Sequence, residues 1–172
     1  MSLHRVVGLV GSVQSPFELG SAAEVFGGVQ SGVRPRYRFA LCAERPGPVP
    51  TSVGYAMLVE AGLEALREAD TVVVPGWLPH GTPVPAAVTE ALREAHRRGA
   101  RIVGICTGAF VLAEAGLLDG RRATTHWRHT ARFAAAFPGV EVDEDVLFID
   151  HGDVATSAGT GAGIDLCLHL VR

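Results

Sequence analysis

Lysine and asparagine are missing from this sequence altogether, and all 15 of its basic residues are arginine. Without lysine no Schiff base can form on the chain, which excludes covalent pyridoxal chemistry. A phosphate-binding loop of the lysine-bearing kind is excluded for the same reason. Cysteine is scarce: Cys42, Cys106 and Cys167 are widely spaced and form no CxxC pair. That argues against a disulfide scaffold and a zinc knuckle, and for a reducing, cytoplasmic setting. Nowhere are there the roughly 18 continuous apolar residues that a membrane span needs, so no membrane contact is expected. The start of the chain lacks a cationic segment leading into a sustained apolar run and cleavage site, so export is not expected either. Positive charge is not in excess. A net charge of -3 and a pI near 6.1 do not suit a strongly basic nucleic-acid module.

What is present suffices for one domain with a substantial core: 172 residues, 48% of them hydrophobic. Arg5 to Gly11 is apolar, short and β-rich, as a buried parallel strand is. A helix is expected from Pro16, with Phe17, Val25, Phe26 and Val29 as apolar positions and Gly27-Gly28 at its end. Arg36 to Ala43 predicts a second strand. ERPGPVPTSVG, residues 44–54, is rich in Pro and Gly and reads as loop. Tyr55 to Val59 suggests a short strand, and Leu63 to Glu68 a short helix. Asp70 to Pro75 is the clearest central strand. Ala86 to Arg98 carries Val88, Leu92 and Ala95 at amphipathic helical spacing, and Gly99 closes it. Arg101 to Ile105 is another buried strand with Cys106 at its end, followed by a helix over Thr107 to Ala115.

Further on, Arg122 to Thr125 and Val140 to Val142, an edge strand, flank a helix from about His129 to Ala136. Leu147 to Asp150 and Val154 to Ser157 enclose the tight turn His151-Gly152-Asp153. Ile164 to Val171 closes the chain as helix. The alternation predicts a doubly wound, flavodoxin-like α/β domain with a mostly parallel sheet and helices on both faces.

Such sheets bind ligands beyond the C-terminal ends of their strands. The turn before Glu18, the Pro75-Gly76-Trp77 turn, Cys106, and Thr124-Thr125-His126-Trp127 should all lie there. RIVGICTGAF runs a buried strand straight into Cys106 and then a helix, the pattern of a nucleophile elbow. A helix N-terminus there would favour a thiolate, and free Thr107 and Ala109 amides would hold an anion. The competing reading makes Cys106 a small buried hydrophobe ending a strand. The residues alone leave both open. Cys42, mid-strand, and Cys167, mid-helix, read as core.

Glu18 is either a hydrogen-bonding partner of Cys106 or an ordinary first-turn glutamate favouring the helix dipole. A charged Glu18 would oppose a thiolate; only a protonated one would stabilise it. His126 is the natural base, in competition with His129, His80, His96 and His151. His96 reads as solvated, while His80 and His151, in turns, are placed to line the mouth. The His126–His129 pair has HxxH spacing but no compelling third ligand, so no metal is expected. Arg121, Arg122, Arg128 and Arg132 read as a solvated helix face.

GICTGAFVLAEAGLLDGRRATTHW (104–127) closely resembles the DJ-1/PfpI superfamily, in particular the glutamine-amidotransferase-like sensor domain of AraC-type transcription regulators. FELGSAAEVF (17–26) and VLFIDHGDVATSAGTGAGIDLCLHLVR (146–172) are similar to that group as well, so the resemblance spans essentially the whole chain. It implies a DJ-1/PfpI-type fold over residues 1–172. It places Cys106 as the elbow cysteine, Glu18 as the acid, His126 as the histidine of the TTHW motif, and Thr107 as a proton-transfer assistant. Gly76, Trp77, Cys106, Thr107, His126 and Trp127 would line the ligand site. Trp77 stands where many relatives carry glycine. Glu18 stands where regulators usually carry aspartate, and Ser21-Ala22 where they carry glycine-proline.

The resemblance implies a domain that senses a small-molecule metabolite and forms a homodimer. DNA would be contacted only through a C-terminal AraC-type helix-turn-helix domain that these residues do not include. No cofactor is implied. The alternative is a cysteine-dependent hydratase or hydrolase of the isonitrile hydratase or PfpI type. A third possibility is a stress protein whose Cys106 is oxidised reversibly.

Overall fold

The structure, a computed structural model, describes residues 3–28, 32 and 34–171. Val29, expected in the first helix, lies outside the described residues. The β-rich run that opens the chain forms β1 (His4–Val10), and Pro16 begins α1 (Pro16–Gly27) at a position where its missing N–H costs nothing. Next come β2 (Tyr37–Ala43), β3 (Gly47–Pro50) and β4 (Ala56–Val59), then a 3₁₀ turn over Leu63–Glu68. The central strand β5 (Thr71–Pro75) is buried along its whole length. It is followed by α2 (Ala86–Arg97), β6 (Arg101–Ile105) and α3 (Gly108–Glu114).

The last part of the chain holds β7 (Arg122–Ala123), α4 (Thr130–Ala136), β8 (Glu141–Val142), β9 (Phe148–Asp150), β10 (Val154–Ser157) and α5 (Gly161–Leu170). α5 begins three residues before the apolar pattern does, since Gly161, Ala162 and Gly163 give no hydrophobic signal.

The main sheet has the order β2-β1-β5-β6-β10-β9, parallel except for the antiparallel edge strand β9. Strand direction and pleat divide the core. Val72, Val74 and Ile102 face α2 and α3, while Val73, Val103 and Ile105 face α1 and α5. Leu92, Leu112 and Phe133 are fully enclosed on the first face, Leu166 and Cys167 on the second. Each such side chain contributes about 1.5–3 kcal/mol by leaving water. The doubly wound expectation holds, and the chain reverses its direction of winding between β1 and β5. That is the switch point where this architecture opens a crevice.

Two expectations are corrected. Residues 44–54 are not all loop: β3 pairs antiparallel with β4, and Pro48 and Pro50 lie within it. Thr51 N–H donates to Tyr55 O at 2.8 Å. This puts the bonding positions of β3 at odd numbers and the prolines, which lack an N–H, between them. Val140–Val142 was expected as an edge strand; β8 does not join the main sheet but pairs with β7 in a separate parallel ribbon.

Candidate functional site

β6 ends at Ile105, and the chain turns at once into α3. To do so Cys106 adopts φ 58°, a left-handed conformation that L side chains rarely take. Its N–H donates to Ser157 O at 3.1 Å and its carbonyl accepts the Thr125 hydroxyl at 2.8 Å. These bonds tie the elbow to β10 and to the TTHW segment, and they hold the strained backbone in place. Gly108 makes the turn possible, because a Cβ there would collide with the carbonyl oxygen of Val74.

The Cys106 thiol is 8% exposed and meets Glu18 and Thr107. Glu18, on the first turn of α1, is 6% exposed, and the Ser15 hydroxyl donates to its carboxylate. S-P-F-E has the spacing of a helix capping box, a signal that would have picked out Ser15 as the orienting partner of Glu18. Burial, and after it the Glu18 carboxylate, push the Cys106 thiol up to about 12, against the opposing pull of the Thr107 amide and hydroxyl. The core thiols Cys42 and Cys167 are likewise pushed up to about 12 by burial. Burial thus acts on the Cys106 thiol in the same direction as on its two structural counterparts, and at the elbow the Glu18 carboxylate adds to it.

Several donors around the elbow are already bonded, while the Thr107 amide faces the Cys106 sulfur. Gly76 N–H points back to Ile105 O at 3.0 Å. Trp77 N–H donates to the Thr107 hydroxyl oxygen at 2.9 Å, and that hydroxyl reaches Trp77 O at 3.3 Å. The Ala109 amide, expected to be free, donates to Cys106 O at 3.4 Å because the α3 turn closes over it.

His126 follows β7 and packs on Gly159, where a Cβ would strike its ring. Its Nδ1 accepts the Arg128 N–H at 3.2 Å. Among the described residues no hydrogen bond joins it to Cys106. Trp127 is 67% exposed, with the Arg128 guanidinium 5.0 Å from its ring centre. Of the four elements expected at the mouth, the structure gathers Glu18, Cys106, Thr107, Gly76 and Trp77 tightly. His126 and Trp127 share no hydrogen bond with that group among the described residues; they stack on each other, with their ring centres 5.7 Å apart.

Other expectations change. His96 is only partly solvated; its Nε2 lies 2.8 Å from Asp153, which also takes both arms of the Arg121 fork at 2.7 and 2.9 Å. His151 is not at the mouth. It turns into β10 at the opposite end of the sheet and bonds to Arg122 O at 2.8 Å. Arg122 pairs with Asp143, and Arg132 lies over Phe110, so these arginines are engaged and do not form a freely solvated face. His80 does line a cavity of about 240 Å³ together with Trp77, Thr107, Phe110, His129 and Arg132. A second cavity of about 390 Å³ lies on the other side of Trp77, over Val10, Gly11 and Ala43.

Residues 9–172 match the DJ-1/PfpI family. The chain belongs to that family. It is 43% identical over 136 residues to the HTH-type transcriptional regulator CdhR of Pseudomonas aeruginosa, covering 78% of this chain and 40% of CdhR. Other HTH-type regulators are among its relatives. The matched stretch thus spans 40% of the length of CdhR. It is also 31% identical to the isonitrile hydratase of Pseudomonas putida, covering 73% of this chain and 54% of that enzyme. A crystal structure of an AraC family regulator from Pseudomonas putida superposes with a TM-score of 0.78 at 22% identity, over 98% of this chain and 91% of that one. That last likeness establishes the shared fold.

Among the described residues no group of three or more His, Cys, Asp or Glu side chains could hold a metal ion. No described helix is long and apolar enough to cross a membrane.

Proposed function

We propose that this DJ-1/PfpI domain is the ligand-sensing and dimerisation part of an AraC-type transcription regulator. It would bind a small metabolite beside Cys106, with Gly76, Trp77, Thr107, His126 and Trp127 around it. DNA would be read by a C-terminal helix-turn-helix domain in a cytoplasmic, two-fold assembly. The observation that carries this reading is the arrangement of the elbow: a buried thiol faced by the buried Glu18 carboxyl, with the neighbouring Gly76 and Trp77 amides already bonded. A recognition site works with such an arrangement, whereas a nucleophile needs a thiolate and free donors. The kinship with CdhR supports it.

Exposed apolar side chains on neighbouring segments support the dimerisation part of this reading. Phe17, Val53, Tyr55 and Leu58 are all more than half exposed. The segment before Phe17 is stitched to the β3–β4 hairpin through Gln14 N–H to Pro50 O and Ser52 N–H to Gln14 O, each 3.0 Å. An apolar patch of this kind is suited to a second copy.

The test uses the full regulator. Cys106→Ser, which keeps the side chain's size and removes the sulfur, should retain both ligand binding and ligand-dependent transcription. Ligand control that persists after Glu18, Cys106 and Thr107 are all replaced would sink the reading.

The alternative is a cysteine-dependent hydratase. It is favoured by one observation: Glu18 and Thr107 both reach the Cys106 thiol, the set an isonitrile-hydrating mechanism needs. Turnover of an alkyl isonitrile to the formamide, lost in Cys106→Ala, would establish it.

A further inference from the structure

The 240 Å³ cavity beside the elbow has a makeup that the elbow's chemistry does not use. Its apolar walls are Trp77, Phe110 and Phe137, and cationic or titratable groups stand at its rim. His80 and His129 lie 4.4 Å apart, and His126 stands 5.7 Å from His129. Arg132 is not a freely waving side chain. Its guanidinium is 5.3 Å from the Phe110 ring centre, and a terminal nitrogen sits 3.0 Å from where a Cβ of Gly81 would be. Among the described residues Arg132 forms no ion pair. The one carboxylate lining the cavity, Glu114, is occupied: it accepts the Val84 N–H at 3.2 Å.

His80, His129 and Arg132 therefore stand close to one another, and the Glu114 carboxylate in the same lining is paired with none of them among the described residues. His80 is held below the ordinary histidine range, first by burial, then by Arg132 and His126. His129 is held down by burial, then by His80, His126, Arg132 and Arg128. An anion seated here would relieve that crowding, and a cation would add to it.

The body of the ligand is set by the walls. The Trp77 indole stands over Gly11 at the β1–β5 switch point, with ring atoms 3.2 Å from where a Cβ of Gly11 would sit. It lines both the smaller cavity and the 390 Å³ space, together with Thr82 and Pro83. A volume of 240 Å³ is below the range of about 300–1,000 Å³ typical of drug-sized ligands.

We propose that this cavity binds a small organic carboxylate, with its acid group at Arg132, His80 and His129 and its apolar body between Phe110 and the Trp77 indole. This deepens the sensing reading above and rests on it. Trp77 is then a determinant of ligand size, closing the pocket on the side where glycine would leave it open to the switch point.

Isothermal titration of the unaltered chain with benzoate, butyrate, the neutral isostere benzamide, and inorganic phosphate tests this. Benzoate or butyrate should bind at least about tenfold more tightly than benzamide, the worth of one charge-assisted contact. Binding should tighten from about pH 8 to about pH 5.5 with net proton uptake, because the histidines bind the anion in their protonated form. Arg132→Gln should weaken binding about tenfold. Arg97→Gln, which removes the same charge from the outer face of α2, should leave it unchanged. Equal affinity for benzamide, no effect of Arg132→Gln, or no saturable binding of either carboxylate would overturn the proposal. Phosphate binding as tightly as benzoate would overturn the carboxylate assignment. A metabolite of another class that raises the melting temperature, keeps that effect in Arg132→Gln and loses it when Glu18 is replaced, would overturn this pocket and leave the sensing reading standing. Failure of every metabolite class would remove both.

Discussion

Replacing Glu18 by glutamine should make Cys106 more reactive, the reverse of what removing a catalytic acid does. The carboxylate is buried against the thiol and is the second-largest cause, after desolvation, of the rise to about 12. At pH 9, the ordinary midpoint of 9.0 leaves half of a thiol ionised, whereas a thiol titrating at about 12 is ionised to about one part in a thousand. Alkylation by iodoacetamide follows the thiolate. In the native chain its rate at Cys106 should climb about tenfold per pH unit, with no plateau up to about pH 10. Glutamine keeps the volume and still accepts the Ser15 hydroxyl, but it removes the charge. The midpoint should then fall by about one unit or more, and the rate at fixed pH should rise about tenfold for each unit. Burial slows attack equally at every pH, so the shape of the profile isolates ionisation from access. Peptide mass spectrometry separates Cys106 from the enclosed Cys42 and Cys167. A native plateau near pH 9, or a glutamine variant with an unmoved profile, would refute the placement of the charge.

The strained elbow predicts an inversion of the usual residue preference. Cys106→Gly should be more stable than Cys106→Ala by about 1 kcal/mol in urea unfolding, because alanine must also take φ 58°. A more stable alanine variant would contradict it. Gly108→Ala sets a methyl against the Val74 carbonyl and should cost about 2 kcal/mol, a fall of about 4–8 °C in melting temperature. Asp153, gripped by Arg121 and His96, has its carboxyl held well below the ordinary carboxylate range. Its stabilisation is present above the unfolded carboxylate value of about 4 and fades as pH falls through the lower folded value. With the side chain 43% exposed, Asp153→Asn should cost only about 0.5–1 kcal/mol at pH 7, and the difference should shrink below about pH 4. A difference that grows in acid would refute this.

The strands were legible where burial on both faces leaves an unbroken apolar run. TVVVP and RIVGI carry no ambiguity, and their spacing leads straight to Cys106. The hairpin strand β3 was hidden because proline is read as a breaker. Only the ladder phase, which is a property of pairing, shows that both prolines fall where no N–H is needed. The site divides the same way. Cys106, Glu18 and Thr107 follow from the local strand–turn–helix pattern, and the Gly76-Trp77 turn from its place after a central strand. The His80–Phe110–His129–Arg132 group comes from a loop, α3, the turn before α4, and α4, so no single stretch of sequence announces it. His96 and His151 were misplaced because their partners, Asp153 and the Arg122 carbonyl, are distant in sequence.

An elbow is a way of presenting a side chain, and whether it yields a nucleophile depends on what meets that side chain. Here the Thr107 hydroxyl takes the Trp77 amide, Gly76 points back into the sheet, and the group facing the sulfur is a carboxyl. With the carboxyl ionised, charge repulsion keeps the proton on sulfur. With it protonated, the same contact becomes a hydrogen bond donated to the thiolate. The contact between the Glu18 carboxyl and the Cys106 thiol therefore bears on both readings. A ligand that drew the proton towards Glu18 would activate the thiol, and one that merely filled the pocket would not. Family membership alone does not decide between regulator and hydratase, because both readings use Cys106, Glu18 and Thr107.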